Sequence, residues 1–359
     1  MRGVAALFIA MRHTFFFHRL GIVGGYMAVD LFFVLSGFVI AHAYERRLEM
    51  GLSAGRFLVM RYLRLWPVYV LGAILGLVAG LMHALPPSDA LSAREVARTA
   101  PFALAMLPGP HIRPMLYPVN TVAWSLALEL LVNAAYAFLW RPMRRPVVLV
   151  ATLAVSAAAL VGAVLWFGKL DIGFQWRDAV GGLPRVVFSF TAGLAAYRLY
   201  RVTSWRPWPP AWLWVAALPP LFCLSLGAVI YPLTCVFVGF PVLVFMAASA
   251  RPPGLWLTRV FAALGAASYP LYALHKPLSE ILVLTVRHDA PWVLSHWPVQ
   301  AGVLYLTLLT GACMLIERYF DRPVRRVLGA AVPHMAQTLA GWASVLLEPI
   351  DSLRSGRRP

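Results

Sequence analysis

The sequence predicts an all-α integral membrane protein, a polytopic bundle of about ten transmembrane helices with both termini cytoplasmic. Three observations carry this expectation. The 359-residue chain is 61% hydrophobic and only 13% charged, with a mean hydropathy of +0.74, well above ordinary soluble domains. Apolar stretches long enough to cross a bilayer recur along it. Lys and Arg are also unevenly shared between the connecting segments, 21 on one side and 8 on the other, and the richer side is expected in the cytoplasm. The formal net charge of +17 is therefore mainly a topology signal, with attraction to anionic headgroups as a by-product. Nucleic-acid binding is not indicated.

In chain order, spans are expected near residues 3–19, 22–43, 64–83, 119–140, 146–167, 183–200, 211–229, 231–249, 260–285 and 299–318. The first reads as a retained span and not a signal peptide, because no small-residue cleavage site follows it and a second apolar run begins almost at once. The turn between them falls near Gly21 to Gly25. The longest segment on the outer side, 84–118, is rich in proline; its "REVARTAPFALAML" is too short and too charged for a span and reads as an interfacial or re-entrant helix. Residues 330–359 read as an amphipathic helix on the cytoplasmic surface followed by a disordered basic tail. The expected division is thus a transmembrane domain over 1–326 and a cytoplasmic helix and tail over 327–359. Cys223, Cys235 and Cys313 lie in apolar runs without ligand-type spacing, so they are expected to be packing residues; neither a disulfide framework nor a metal site is indicated.

Ionisable side chains inside spans are costly and mark candidate sites. The set comprises Arg12, His13, Asp30, Glu129, His275, Lys276 and Glu280. Arg2 and His13 are eleven residues apart, almost three helical turns and roughly 16 Å along one face. Such a stripe joins a cation at the cytoplasmic edge to an imidazole deep in the bilayer. Asp30 and His13 lie at similar distances on either side of the expected turn, which suggests similar depth. Asp30 then orients His13 as a general base, neutralises Arg12, or does both. Glu129, in "NTVAWSLALELLVN", falls about 15 Å into its span, either as a functional carboxylate or as a structural partner for an Arg or Asn of a neighbouring helix, with Asn133 one turn on and close enough to share a network. Trp124 and Ser125 sit nearer the outer interface; the indole is an interfacial belt residue or a surface for stacking a sugar ring. In "RYLRLWPVY", Arg61 and Arg64 share a helical face, as a phosphate site or as ordinary cytoplasmic boundary residues.

Together these stretches resemble the acyltransferase type 3 family of bacterial membrane acyltransferases. The matching pieces run in order as "RGVAALFIAMRH", "GYMAVDLFFVLSGFVIAHAY", "RFLVMRYLRLWPVY", "WSLALELL", "LGAASYPLYALHKPL" and "IERYFDRPVRR", and cover about residues 1–326. The resemblance implies a multi-pass enzyme of the bacterial inner membrane. It takes an acyl group, usually acetyl, from cytoplasmic acyl-coenzyme A as co-substrate, with no tightly bound cofactor, and places it on a hydroxyl of a carbohydrate or lipid-linked glycan of the cell envelope. It also implies essential roles for Arg2 and His13, a coenzyme A site at Arg61 and Arg64, a functional carboxylate at Glu129, a family aspartate at Asp30 and a supporting histidine at His275. Departures from the family pattern are Arg12 where an apolar residue is usual, Lys276 after His275, and a single carboxylate in "LEL". Joined to the reading of the residues, it predicts that His13, held by Asp30 or Glu129, deprotonates the acceptor or carries the acyl group itself. The rival reading is a transporter or flippase for an envelope lipid or sugar, with His, Asp and Glu as a proton relay.

Overall fold

The computed structural model describes residues 1–83, 91–205, 210–224, 226–251 and 253–330, and its regular elements there are helices. The expected amphipathic helix and tail beyond residue 330 lie outside the described residues. Helix α1 spans Arg2–His13, and 3-10 turns at Phe15–Leu20 and Val23–Met27 lead into α2, Ala28–Glu49. Then come α3, Ala54–His83, and the short α4, Ala93–Leu104. The long helices α5, Ala123–Met143, α6, Pro146–Phe167, and α7, Ala179–Val202, follow. Two short pieces, α8, Ala211–Ala216, and α9, Leu218–Cys223, precede α10, Ile230–Thr234, which runs through a π turn into α11, Phe240–Ser249. The chain ends with α12, Leu255–Asp289, α13, Pro291–His296, and α14, Pro298–Ile316, which continues helically to Ala330.

Seven of these helical runs are long and apolar enough to cross a membrane: 24–49, 54–82, 123–143, 146–167, 176–202, 230–249 and 298–330. They coincide with seven of the ten expected spans. The expected first span is different, because α1 stops at His13, about 18 Å long at the helical rise. Thr14 leaves the helix with extended backbone and donates its hydroxyl back to the Ala10 carbonyl at 2.6 Å. The apolar "TFFF" that made the run look long enough instead buries Phe16 and Phe17 against Gly302 of α14, where a Cβ would lie 2.7 Å from the Phe17 ring. The expected span 211–229 is cut at Pro219 and Pro220, which supply no backbone N–H. The expected span 260–285 lies within α12, 35 residues long, which His275, Lys276 and Glu280 make too polar to join the seven.

Helix α2 occupies the centre, with 72% of its most apolar stretch buried, whereas α6 at 22% is peripheral. The α2–α7 seam rests on two glycines. A Cβ at Gly37 would lie 2.0 Å from the Phe190 carbonyl oxygen, and one at Gly193 2.0 Å from that of Val34. Between apolar helices such small residues bring the backbones into contact. Gly193→Ala should force the seam apart and cost about 1–3 kcal/mol, read as a lowered melting temperature of the detergent-solubilised protein.

Helix α12 packs along α1 and α3. Its Pro277 cannot donate to the Ala273 carbonyl one turn back, and Asn120 Nδ2 donates there instead at 3.0 Å. Gly72 makes room, since a Cβ there would lie 2.6 Å from the same oxygen. The segment expected to hold an interfacial helix does form α4, started by a reciprocal Ser92–Glu95 cap. Arg113 donates to the Glu95 carboxylate at 2.8 Å, and that contact together with Ser92 lowers the Glu95 pKa to about 2. Of the cysteines, Cys235 and Cys313 are buried as expected, while Cys223 is exposed.

Candidate active site

The stop at His13 puts its imidazole at the end of α1, facing α12. His13 Nδ1 lies 3.0 Å from His275 Nε2, with the rings stacked at 5.2 Å between centroids. His275 Nδ1 in turn lies 3.0 Å from the carbonyl oxygen of Leu271. A carbonyl only accepts, so a neutral His275 carries its proton on Nδ1 and must accept at Nε2. His13 then donates from Nδ1, and its Nε2 keeps the lone pair. The pair thus fixes the tautomer that a general base at His13 Nε2 requires. His275→Ala removes that control and should lower kcat about 10²-fold or more, as tautomer loss does in hydrolase triads. The kcat–pH profile should change with it, which a purely structural role for His275 would not produce.

His13 lines a cavity of about 510 Å³, together with Phe17, Tyr26, Trp124, Phe174 and Tyr272 and the polar Arg12, Asp171 and Lys276. Aromatic faces and sparse polar groups suit a sugar ring. A slit of about 20 Å³ adjoins it, lined by Arg2, Ser125, Glu129, Ser268 and Tyr269. Val29 and Tyr272 line both spaces and so form the wall between them. The Tyr272 hydroxyl is fixed to Ser125 Oγ at 2.5 Å. The two ends of α1 therefore mark two levels, His13 above this wall and Arg2 below.

At the lower level Glu129 Oε1 accepts from Arg61 at 2.9 Å and from Ser36 at 3.0 Å. Arg64 lies 3.6 Å from Asp321, which Arg325 also approaches at 2.8 Å. The expected pair of arginines therefore shares a helix face but divides between two carboxylates. The Arg64 side chain is 37% exposed, against 12% for Arg61. Arg2 sits over the Phe32 ring, and its buried Nε has no hydrogen-bond partner among the described residues. Asn133 does not share a network with Glu129; its buried amide has no hydrogen-bond partner among the described residues either.

Three expectations about the carboxylates are corrected. Asp30 does not touch His13, nor does it neutralise Arg12. Both its oxygens are taken by Arg185, Oδ1 from Nε at 3.1 Å and Oδ2 from Nη2 at 2.7 Å, with both side chains fully buried. Arg12 instead pairs with Asp171 at 2.8 Å. Glu129 does not hold His13 either, since its partners are Arg61 and Ser36, and among the described residues the side chain hydrogen-bonded to His13 is His275. The reason is local. Equal distances from a turn give equal depth only in a hairpin of two straight helices, and here the chain from Thr14 to Met27 is 3-10 and irregular. Asp30 falls in the first turn of α2, where the helix dipole favours a carboxylate.

Arg185 was missed by the sequence reading, although it is a charge just inside an expected span, after Pro184. Besides holding Asp30, it donates to the Ile172 carbonyl at 2.6 Å and lies over the Trp124 ring at 5.4 Å. It thereby ties the segment between the lining residues Asp171 and Phe174 to Trp124. Tyr272 was also missed; lying three residues before His275, it shares that residue's helical face.

The order of these parts along the chain is matched as a whole: the acyltransferase domain, as a family, aligns to residues 1–317. The chain belongs to this acyltransferase type 3 family. It is therefore a multi-pass membrane protein of an acyltransferase family, as the motifs suggested. One relative, "Protein 2 in picA locus" of Rhizobium radiobacter, is 43% identical over 183 residues, 46% of this chain and 93% of that protein. Another, "Exopolysaccharide production protein ExoZ" of Rhizobium meliloti (strain 1021), is 33% identical over 142 residues. That match covers 39% of this chain and 43% of ExoZ. No solved structure matches the chain.

Proposed function

We propose that this acyltransferase moves an acyl group, most simply acetyl, from acyl-coenzyme A to a hydroxyl of a cell-envelope carbohydrate. The supporting observation is the tautomer-fixed His13, set in a sugar-sized aromatic cavity and joined by α1 to an arginine-rich mouth. Both termini and that mouth face the cytoplasm in this reading, in the bacterial inner membrane, because the Lys and Arg asymmetry favours it. The printed name of ExoZ supports an exopolysaccharide as the acceptor class.

In the reaction, coenzyme A phosphates bind at the mouth through Arg64, with Arg61 and Arg2 beside it, and the pantetheine arm, for which the slit has to open, carries the thioester past Val29 and Tyr272 to His13. His13 Nε2 takes the proton of the acceptor hydroxyl as its oxygen attacks the thioester carbonyl. The C–S bond breaks, and the departing thiolate receives that proton from His13. While protonated, His13 keeps its Nδ1–H on the neutral His275, so the proton is carried without rearranging the pair. Asp30 serves through Arg185 and Trp124, as a positioning residue. A transport reading has less support, because among the described residues the His13–His275 pair is hydrogen-bonded to no carboxylate.

The test uses purified protein in vesicles with labelled acetyl-coenzyme A and envelope glycans, following thiol release and glycan labelling together. Glycan movement without thiol release would refute the reaction. Arg64→Ala is the cleaner donor variant, since Arg61 is held by the buried Glu129. It should raise the donor KM about tenfold, the loss of one charge-assisted phosphate contact, with a smaller change in kcat.

A further inference from the structure

Beside the His13 cavity, which forms a vestibule, lies a second chamber of about 260 Å³, lined by Arg12, Tyr26, Lys169, Asp171 and Tyr231 among others. Arg12, Tyr26 and Asp171 also line the vestibule, so the partition between the two is an ion pair. Arg12 Nη2 donates to Asp171 Oδ2 at 2.8 Å, with the side chains 28% and 27% exposed, and the guanidinium lies 5.2 Å from the Tyr26 ring centre. Lys169 is half-buried and makes no ion pair among the described residues. Nothing in the transfer step uses these groups.

We propose that the chamber binds an anionic substituent of the acceptor glycan, a carboxylate or a phosphate, between Arg12 and Lys169, while the hydroxyl to be acylated lies at His13. This rests on the reaction proposed above and narrows its acceptor to an acidic sugar. Charge points to it first: among the described residues the chamber wall carries two cations and one carboxylate. The vestibule adds Lys276, whose partner Glu280 at 2.6 Å lines neither space.

Chemistry points the same way. Asp171 shows that Arg12 accepts a carboxylate at this place, with both side chains part-exposed, where an ion pair contributes little. A ligand anion exchanges with it at small cost, and gains Lys169 as a second cation. Geometry completes the case. Arg12 and His13 are consecutive on α1, so their side chains diverge by about 100°, both reaching the vestibule and only Arg12 reaching the chamber. A sugar hydroxyl at the base thus has its neighbouring substituents directed toward the partition.

Three oligosaccharides of one backbone provide the test: a uronate-bearing form, its carboxyl-reduced counterpart and a phosphorylated form. Equilibrium binding to the full-length His13→Ala protein in nanodiscs is compared with wild-type kcat/KM. An anionic form should bind about tenfold or more tightly than the reduced form, with the preference shrinking as salt rises; which anion binds more tightly names its source. Lys169→Met should bring the preference close to one, and Lys169→Glu should reverse it. Asp171→Asn, which removes the competing carboxylate beside Arg12, should increase it. Equal binding of anionic and reduced forms, or a preference that survives both Lys169 variants, overturns the proposal. Because binding is read without turnover, a charge preference without acyl transfer would count against the reaction alone, and transfer without a charge preference against the chamber alone.

Discussion

His13→Ala should lower the rate of acyl transfer by about 10²–10⁴-fold, the usual contribution of a positioned general base, with little change in donor KM. The separation follows from the geometry, since the arginine mouth lies roughly 16 Å down α1 from the imidazole and beyond the wall made by Val29 and Tyr272. Loss of kcat at constant donor KM marks an interaction made in the transition state. Initial rates of thiol release and glycan labelling over a range of acetyl-coenzyme A concentrations measure it. Near wild-type turnover in His13→Ala would remove the residue from the chemistry. Rapid quenching of the wild type with labelled donor and no acceptor separates the two roles open to Nε2: a stoichiometric labelled protein marks it as an acyl carrier, an unlabelled one as a base.

The largest effect on stability should come from the Asp30–Arg185 pair. Both side chains are fully buried and joined by two hydrogen bonds. Asp30→Leu alone strands a guanidinium in the bundle and should cost about 3–5 kcal/mol. Arg185→Met strands the carboxylate at a similar cost. The double variant, with apolar groups of comparable volume in both places, should recover most of that loss, measured as the melting temperature and folded yield of all four proteins. It should not recover activity, because the Ile172 carbonyl loses its donor and Trp124 its cationic neighbour. A stable double variant with full turnover would show the pair to be structural only.

These two sites also mark where sequence reasoning ends. His13, His275, Arg61, Arg64 and Glu129 were legible because an ionisable group in an apolar run is conspicuous whatever it touches, and seven spans were legible because lipid-crossing helices leave long apolar runs. Partners were not. Hydropathy cannot tell apolar residues that face lipid from Phe16 and Phe17, which pack against Gly302, so α1 looked complete when it ends at His13. That error moved Asp30 to the wrong depth and concealed Arg185 as its mate. The His13–His275 contact joins positions 262 residues apart, and no local pattern carries such a separation.

The shared wall of Val29 and Tyr272 bears on the energy economy of the cell. A route open to a thioester could easily become a leak for protons and ions. Here one phenol ring and one valine line both spaces, so in the reaction proposed above an acyl group would pass between side chains and not through an open channel. On that reading the bilayer would keep its electrochemical gradient while the enzyme turns over.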